Sequence, residues 1–294
     1  MGDRFRWSKE PLTLKELTSF ARDVAKDAPY NSAKFANAMH VFIIVHFLGR
    51  DWYRQYAYLT AEKNSYLSPE FGPDGKAPVY SMRILNLAEM LFNLQGVEGF
   101  EYCLEQLASG QLESGLAEMQ LGMMLYQAHH KIRYINPSAI AGQTYDLEID
   151  FPNAAVSCGE IKCKEDATDI SVQTIRNSLK EARQQLPAGG AGIVFIKVPQ
   201  SWARASGEQI FLRQEITEAT MAFLRGTGRV ALVVFYVFHL TQFSDRVANR
   251  HAVREFPTPK KPQGMHWGPS LFPFDSPIKW VSMPDLIKQW SENG

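Results

Sequence analysis

Between Gln143 and Lys164 the chain reads QTYDLEIDFPNAAVSCGEIKCK, and its charged side chains are ordered rather than scattered. Asp146, Glu148, Asp150, Glu160 and Lys162 hold even positions, while Tyr145, Leu147, Ile149, Phe151 and Ile161 hold odd ones. Alternation at period two marks a half-buried strand, so TYDLEIDF and AVSCGEIKCK read as two arms of a hairpin around PNA. If Pro152–Ala154 is a three-residue loop, Asp146 lies directly opposite Glu160, and Lys162 shares their face opposite Thr144. A loop of two or four residues sends Glu160 and Lys162 to the other face, and the sequence leaves that parity open.

The odd-length loop has a chemical implication. Two carboxylates opposed across strands destabilise the pair, by about 4 kcal/mol at ~4 Å and an effective dielectric of about 20. A divalent cation reverses that sign, because hard cations such as Mg²⁺ take carboxylate oxygens together with water and phosphate oxygens. A lysine two residues beyond the second carboxylate projects beside such an ion, where it stabilises charge or orients an attacking water. These are the parts of metal-assisted phosphodiester hydrolysis. The plain alternative is a solvated hairpin face that binds nothing.

The elements around this hairpin follow from hydrophobic period and turn residues. LTLKELTSFARDVAKDA reads as a helix with a capping box, Thr13 to Glu16. Helical pattern continues over Ala33–Leu48, Tyr53–Leu59, YSMRILNLAEMLFNL and FEYCLEQL, broken by the Pro/Gly-rich turn SPEFGPDGKAP at Ser68–Pro78. Beyond residue 110 the order becomes a helix (ESGLAEMQLGMMLYQAHH), a short strand (KIRYIN), the two hairpin arms, a helix from Ser171 to Leu186 and a buried strand (GIVFIKVP). A further helix (EQIFLRQEITEATMAFLRG) and an apolar strand (RVALVVFYVF) follow. Such alternation predicts an α/β fold, one mixed sheet flanked by helices, with residues 1–108 a mostly helical region of unknown role.

Asp146 followed by Glu160-Ile161-Lys162 resembles the D…(D/E)xK signature of the PD-(D/E)xK nuclease superfamily, whose restriction-endonuclease-like core runs helix, three strands, helix, strand. The likeness spans Glu113 to Pro199; residues 109–294 would then be the nuclease domain with a C-terminal extension. It implies a Mg²⁺-dependent nuclease, Mn²⁺ being an alternative ion, with Asp146 and Glu160 as metal ligands and Lys162 as the catalytic lysine. The superfamily often adds a glutamate from the preceding helix, which points to Glu118, with Glu113 in reserve. Superfamily precedent favours DNA over RNA. Tyr145 stands where the signature has proline, so Glu148 and Asp150 compete with Asp146 for the ligand role. The other acidic-x-lysine triplet, Asp74-Gly75-Lys76, sits in the Pro/Gly-rich turn with no partner strand.

In that superfamily the helix after the hairpin borders the cleft and supplies a lysine or glutamine. Here Arg176, Lys180, Arg183 and Gln184 form its polar stripe, and Lys164 follows Lys162 at the same parity; all five are candidates for substrate phosphate. An ordinary solvated helix face explains the stripe equally well. GRDWYRQYAYL interleaves Arg50 and Arg54 with aromatics as single-strand binders do, but buried aromatics on an amphipathic helix are the commoner meaning. DRVANRHAVREFPTPKKP, Asp245–Pro262, reads as an exposed connection.

Composition bounds the rest. The 294 residues carry 31 Lys plus Arg against 31 Asp plus Glu, so any polyanion site must be a local patch rather than a whole-protein field. Cys103, Cys158 and Cys163 make neither a zinc spacing nor a disulfide framework, which favours a reducing compartment and a cytoplasmic location. VFIIVHFLG and VALVVFYVF are too short to span a bilayer. The expected partner is nucleic acid, with a homo-oligomer possible; the competing class is a non-catalytic nucleic-acid- or protein-binding module that retains the nuclease fold.

Overall fold

The computed structural model describes residues 10–27, 33–57, 67, 78–136, 144–151, 156–165, 168–188, 192–206, 209–242, 247–259, 270–273 and 280–293. The chain divides into two compact units, Met1–Met119 with Pro277–Gly294, and Gln120–Ser276.

The first unit is helical. α1 (Leu14–Ala25) starts at the capping box the sequence predicts: Thr13 accepts from the Glu16 amide at 3.2 Å, and Glu16 accepts from the Thr13 amide at 2.8 Å. α2 (Ala33–Leu48), α3 (Arg50–Tyr56), α4 (Pro78–Leu94) and α5 (Phe100–Ala108) follow. Trp52 of α3 is fully buried and its indole donates to the Leu107 carbonyl at 2.7 Å. The aromatic side of GRDWYRQYAYL therefore contains a core anchor. The last helix, α9 (Met283–Asn293), belongs to this unit, because the Val281 amide donates to Asn93 at 2.7 Å and the Met283 amide to Glu89 at 2.8 Å. Ser68–Ala77 of the predicted turn, with Asp74–Lys76 in it, lie outside the described residues, and Pro78 already opens α4.

α6 (Leu112–Gln127) carries the boundary between the units, and its last residues open the second. There β1 (Lys131–Tyr134), β2 (Leu147–Asp150), β3 (Ser157–Cys163), β4 (Gly192–Lys197), β7 (Val230–Gln242) and β8 (Val247–Pro257) form one mixed sheet in the order β1-β2-β3-β4-β7-β8. β1, β2 and β3 run antiparallel to one another, β3, β4 and β7 run parallel, and β8 returns antiparallel. α7 (Val172–Gln185) and α8 (Gln214–Arg225) make the parallel crossovers and cover one face. Their buried stripes, Ile175, Leu179 and Ala182 on α7 and Ile216 and Ala219 on α8, pack on Val194, Ile196, Val233 and Phe235. On the other face Gly122 of α6 lies under Tyr134; a Cβ there would come within 1.8 Å of the tyrosine oxygen. The protein is thus α/β, with a helical N-terminal region and a six-stranded mixed sheet.

Two expectations need correction. EQIFLRQEITEATMAFLRG is not one helix: Gln209–Leu212 is strand β6, paired with β5 (Ala203–Ser206), and the helix begins only at Gln214. β6 alternates inward Ile210 and Leu212 against outward Phe211, which a four-residue strand scarcely advertises in sequence. Nor is Asp245–Pro262 an exposed connection, because Val247–Pro257 pairs along β7 from Gln242 back to Leu232. Its charged residues are those of an edge strand, where charge discourages further pairing. Among the described residues no helix is long and apolar enough to cross a membrane.

Candidate active site

The β2–β3 register pairs Leu147 with Gly159, Glu148 with Cys158 and Ile149 with Ser157. One further step places Asp146 opposite Glu160, the register that the odd-length loop requires. The loop itself, Pro152–Ala154, lies outside the described residues, as does Ala155. The Asp146 amide donates to the Gly159 carbonyl at 3.0 Å, and the Asp146 carboxylate accepts from the Ile161 amide at 2.6 Å. Asp146 is therefore held by β3 through both backbone and side chain.

Glu160 projects from the centre of the sheet, 1 % exposed, with its parallel neighbour Val194 part of the apolar core. The Lys162 ammonium lies 2.8 Å from the Glu160 carboxylate and also donates to the Gln185 side chain at the end of α7. Burial pushes the Asp146 carboxyl up to about 6. The Ile161 amide, the Lys162 charge and a hydrogen bond with Glu160 oppose that rise without cancelling it. Asp146 and Glu160 thus face each other across the two strands, with the Lys162 ammonium held against Glu160.

The carboxylates left over in the sequence reading are accounted for by β1, where Arg133 lies opposite Glu148 and Lys131 opposite Asp150. Lys131 meets Asp150 at 3.4 Å, and the Arg133 guanidinium pairs with Glu148. Tyr145 donates to the other oxygen of Glu148 at 2.7 Å. Burial raises the Glu148 carboxyl, but the bonds from Arg133 and Tyr145 outweigh it and the net shift is downward. Glu148 and Asp150 are thus ion-paired to β1, which leaves Asp146 as the acid that faces Glu160.

Glu118 lies in the helical unit, where its carboxylate accepts from Gln106 at 2.7 Å and lies 3.9 Å from the Cys103 sulfur. Glu113 is in the first turn of α6. Among the described residues no group of three His, Cys, Asp or Glu side chains gathers as a metal cluster, so Asp146 and Glu160 form a two-carboxylate set. Arg176, Lys180 and Gln184 are exposed on α7, and Arg183 packs over the Phe223 ring at 6.0 Å. Lys164 closes β3, its amide donating to the Lys197 carbonyl at 3.0 Å. None of these five forms a hydrogen bond or ion pair with Asp146, Glu160 or Lys162 among the described residues.

Gln185 is the residue that the sequence reading missed. It neighbours Gln184, and the polar stripe alone does not say which glutamine turns toward the sheet. The packing of Leu186 against Gly192 decides it: a Cβ at Gly192 would lie 2.5 Å from Leu186 and 2.9 Å from the Cys158 carbonyl, so the end of α7 sits close on the sheet. No family model matches the sequence, and no curated protein or solved structure matches it.

Proposed function

We propose that the protein is a metal-dependent nuclease that hydrolyses phosphodiester bonds, in DNA before RNA, on a restriction-endonuclease-like core. The observation that carries this reading is the contact of Asp146 with Glu160 across the β2–β3 pair, with the Lys162 ammonium 2.8 Å from Glu160. Support comes also from the order α6, β1, β2, β3, α7, β4, the helix–three strands–helix–strand run of that core.

The donor set suits Mg²⁺, which commonly uses one or two carboxylates and completes its shell with water and substrate phosphate. Asp146 and Glu160 would hold the ion. A bound ion would supply Lewis acidity toward the scissile phosphate and a more acidic water. The chain's own groups do the rest. The Ile161 amide fixes the Asp146 carboxylate, Glu160 and Gln185 fix the ammonium of Lys162, and that ammonium offsets charge gathering on the phosphate or orients the attacking water. Lys164, Arg176, Lys180, Arg183 and Gln184 are proposed phosphate contacts further along the strand.

The test is cleavage of supercoiled, linear and single-stranded DNA with Mg²⁺ or Mn²⁺. Wild type should cut, and Glu160→Ala and Lys162→Ala should each abolish cutting with circular dichroism unchanged. Equal activity in all three proteins, or none in wild type with either ion, would sink the reading. Absence of Mn²⁺ binding by calorimetry would then favour the non-catalytic binding module.

A further inference from the structure

The β5–β6 hairpin and the start of α8 line an open cleft of about 770 Å³, bordered by Arg204, Phe211, Leu212, Arg213, Gln214, Glu215 and Glu218. Arg204 and Phe211 are cross-strand partners, so their side chains leave the hairpin on the same face. That face is outward. Ala203 and Ile210, like the buried Leu212, turn the other way into the α7–α8 core.

Phe211 is 52 % exposed, the only phenylalanine or tryptophan so exposed among the described residues. The base of the hairpin is not loose. Buried Trp202 donates to the Thr168 carbonyl at 2.8 Å, and the Arg213 amide donates to the Trp202 carbonyl at 3.2 Å. A fixed scaffold therefore presents a bare aromatic ring beside Arg204 in a cleft that Arg213 also lines, and neither guanidinium is ion-paired among the described residues. Of the acids in the lining, Glu218 accepts from Gln214 at 2.9 Å.

The hairpin also stands at the end of the sheet toward which β3 runs. Lys162 is level with Ile196 of β4, and β4 leads through Val198, Pro199 and the 3-10 turn Gln200–Trp202 into the hairpin. A strand held at the carboxylate pair can therefore continue toward this end of the same unit.

We propose that this cleft seats one unpaired nucleotide of a substrate strand, its base stacked on Phe211 and its flanking phosphates on Arg204 and Arg213. The proposal rests on the nuclease reading for the choice of nucleic acid. Stacking suits a single strand, because a paired base keeps its faces inside the duplex, whereas every unpaired base offers one to an aromatic ring. A volume within the range of small-ligand pockets fits a nucleotide and not a duplex. The mixed lining agrees: arginine for phosphate, phenylalanine for the base face, and Gln214 and Glu215 within the same wall to meet a base edge.

The test measures fluorescence anisotropy of a labelled oligo-dT and of a hairpin duplex of equal length, in EDTA so that no cleavage occurs. Phe211→Ala should weaken oligo-dT binding about tenfold and leave duplex binding unchanged, while Phe211→Trp keeps oligo-dT affinity. The Arg204→Ala/Arg213→Ala double variant should flatten the salt dependence of oligo-dT binding. An unchanged Phe211→Ala, an equal loss with Phe211→Trp, or no oligo-dT binding by wild type would overturn the proposal. Those failures leave metal-dependent cleavage standing if it is observed, and loss of cleavage leaves the stacking site standing if Phe211 controls binding.

Discussion

Asp146 and Glu160 meet across the β2–β3 pair, and the Asp146 carboxylate is pinned at the same time by the Ile161 amide at 2.6 Å. That contact has a stability consequence. Burial lifts the Asp146 carboxyl from its ordinary 3.8 to about 6, so the folded state prefers the protonated form. Its contribution is fully present below pH ~4 and is lost as pH rises through about 6. Above that the ion-free protein carries a penalty of about 3 kcal/mol. Asp146→Asn, which keeps the acceptor for Ile161, should raise Tm by several degrees at pH 8 and by much less at pH 5. Calorimetry at the two pH values checks this; an equal effect at both would refute the account.

Gln185 accepts from the Lys162 ammonium, and among the described residues it bonds to neither Asp146 nor Glu160. Gln185→Leu should therefore lower Mg²⁺-dependent cleavage about tenfold or more while leaving Mn²⁺ affinity as in wild type, as supporting residues around a metal site do. A parallel fall in ion affinity would show that Gln185 holds the carboxylates instead.

The two ion pairs between β1 and β2 should differ in worth. Lys131 is 83 % exposed and its partner Asp150 44 %, so Lys131→Ala should cost no more than about 0.5 kcal/mol. Glu148 is only 16 % exposed, and Arg133→Ala strips it of a charge while leaving Tyr145, for a loss of about 1–3 kcal/mol. Urea midpoints of the two variants give the comparison, and equal losses would contradict it.

His40 is buried in α2, and among the described residues its Nε2 has no hydrogen-bond partner. Burial pushes the imidazole down to about 4, so the fold prefers it neutral. The stabilisation is complete above pH 6.5 and falls away as pH drops through 4, by about 3 kcal/mol. Glu89, raised by burial, works in the opposite direction and offsets part of the loss. His40→Leu should move the acid unfolding midpoint to lower pH, with tryptophan fluorescence as the measure. An unmoved midpoint would refute the role of His40.

The face shared by Asp146, Glu160 and Lys162 was legible because strand period is local, and one parity condition decided it. The partners of Glu148 and Asp150 were not, since Arg133 and Lys131 reach them only through the β1–β2 register, a pairing across an intervening segment. Gln185 was hidden by helical phase: a single residue turns a side chain by about 100°, and the phase is fixed by Leu186 against Gly192 rather than by the helix itself. β6 escaped because QIFL runs straight into a helix whose N-cap, Arg213, makes no side-chain cap bond. β8 escaped because an edge strand rich in charge looks like a loop until its partner is known.

The antiparallel β2–β3 pair also places the site early in the order of assembly. Asp146 reaches Ile161 across only fifteen residues, whereas Lys162 must wait for Gln185, twenty-three residues on and past a whole crossover helix. Short loops close at lower entropic cost than long ones, and parallel pairings mature late. The acids should thus be brought together in a nascent hairpin before the lysine is anchored, and pulsed hydrogen exchange would show the Ile161 amide protected ahead of the β3–β4 amides. A cation bound as proposed would meet the two carboxylates before the rest of the sheet exists, acting as a template for the chain rather than a late addition to it.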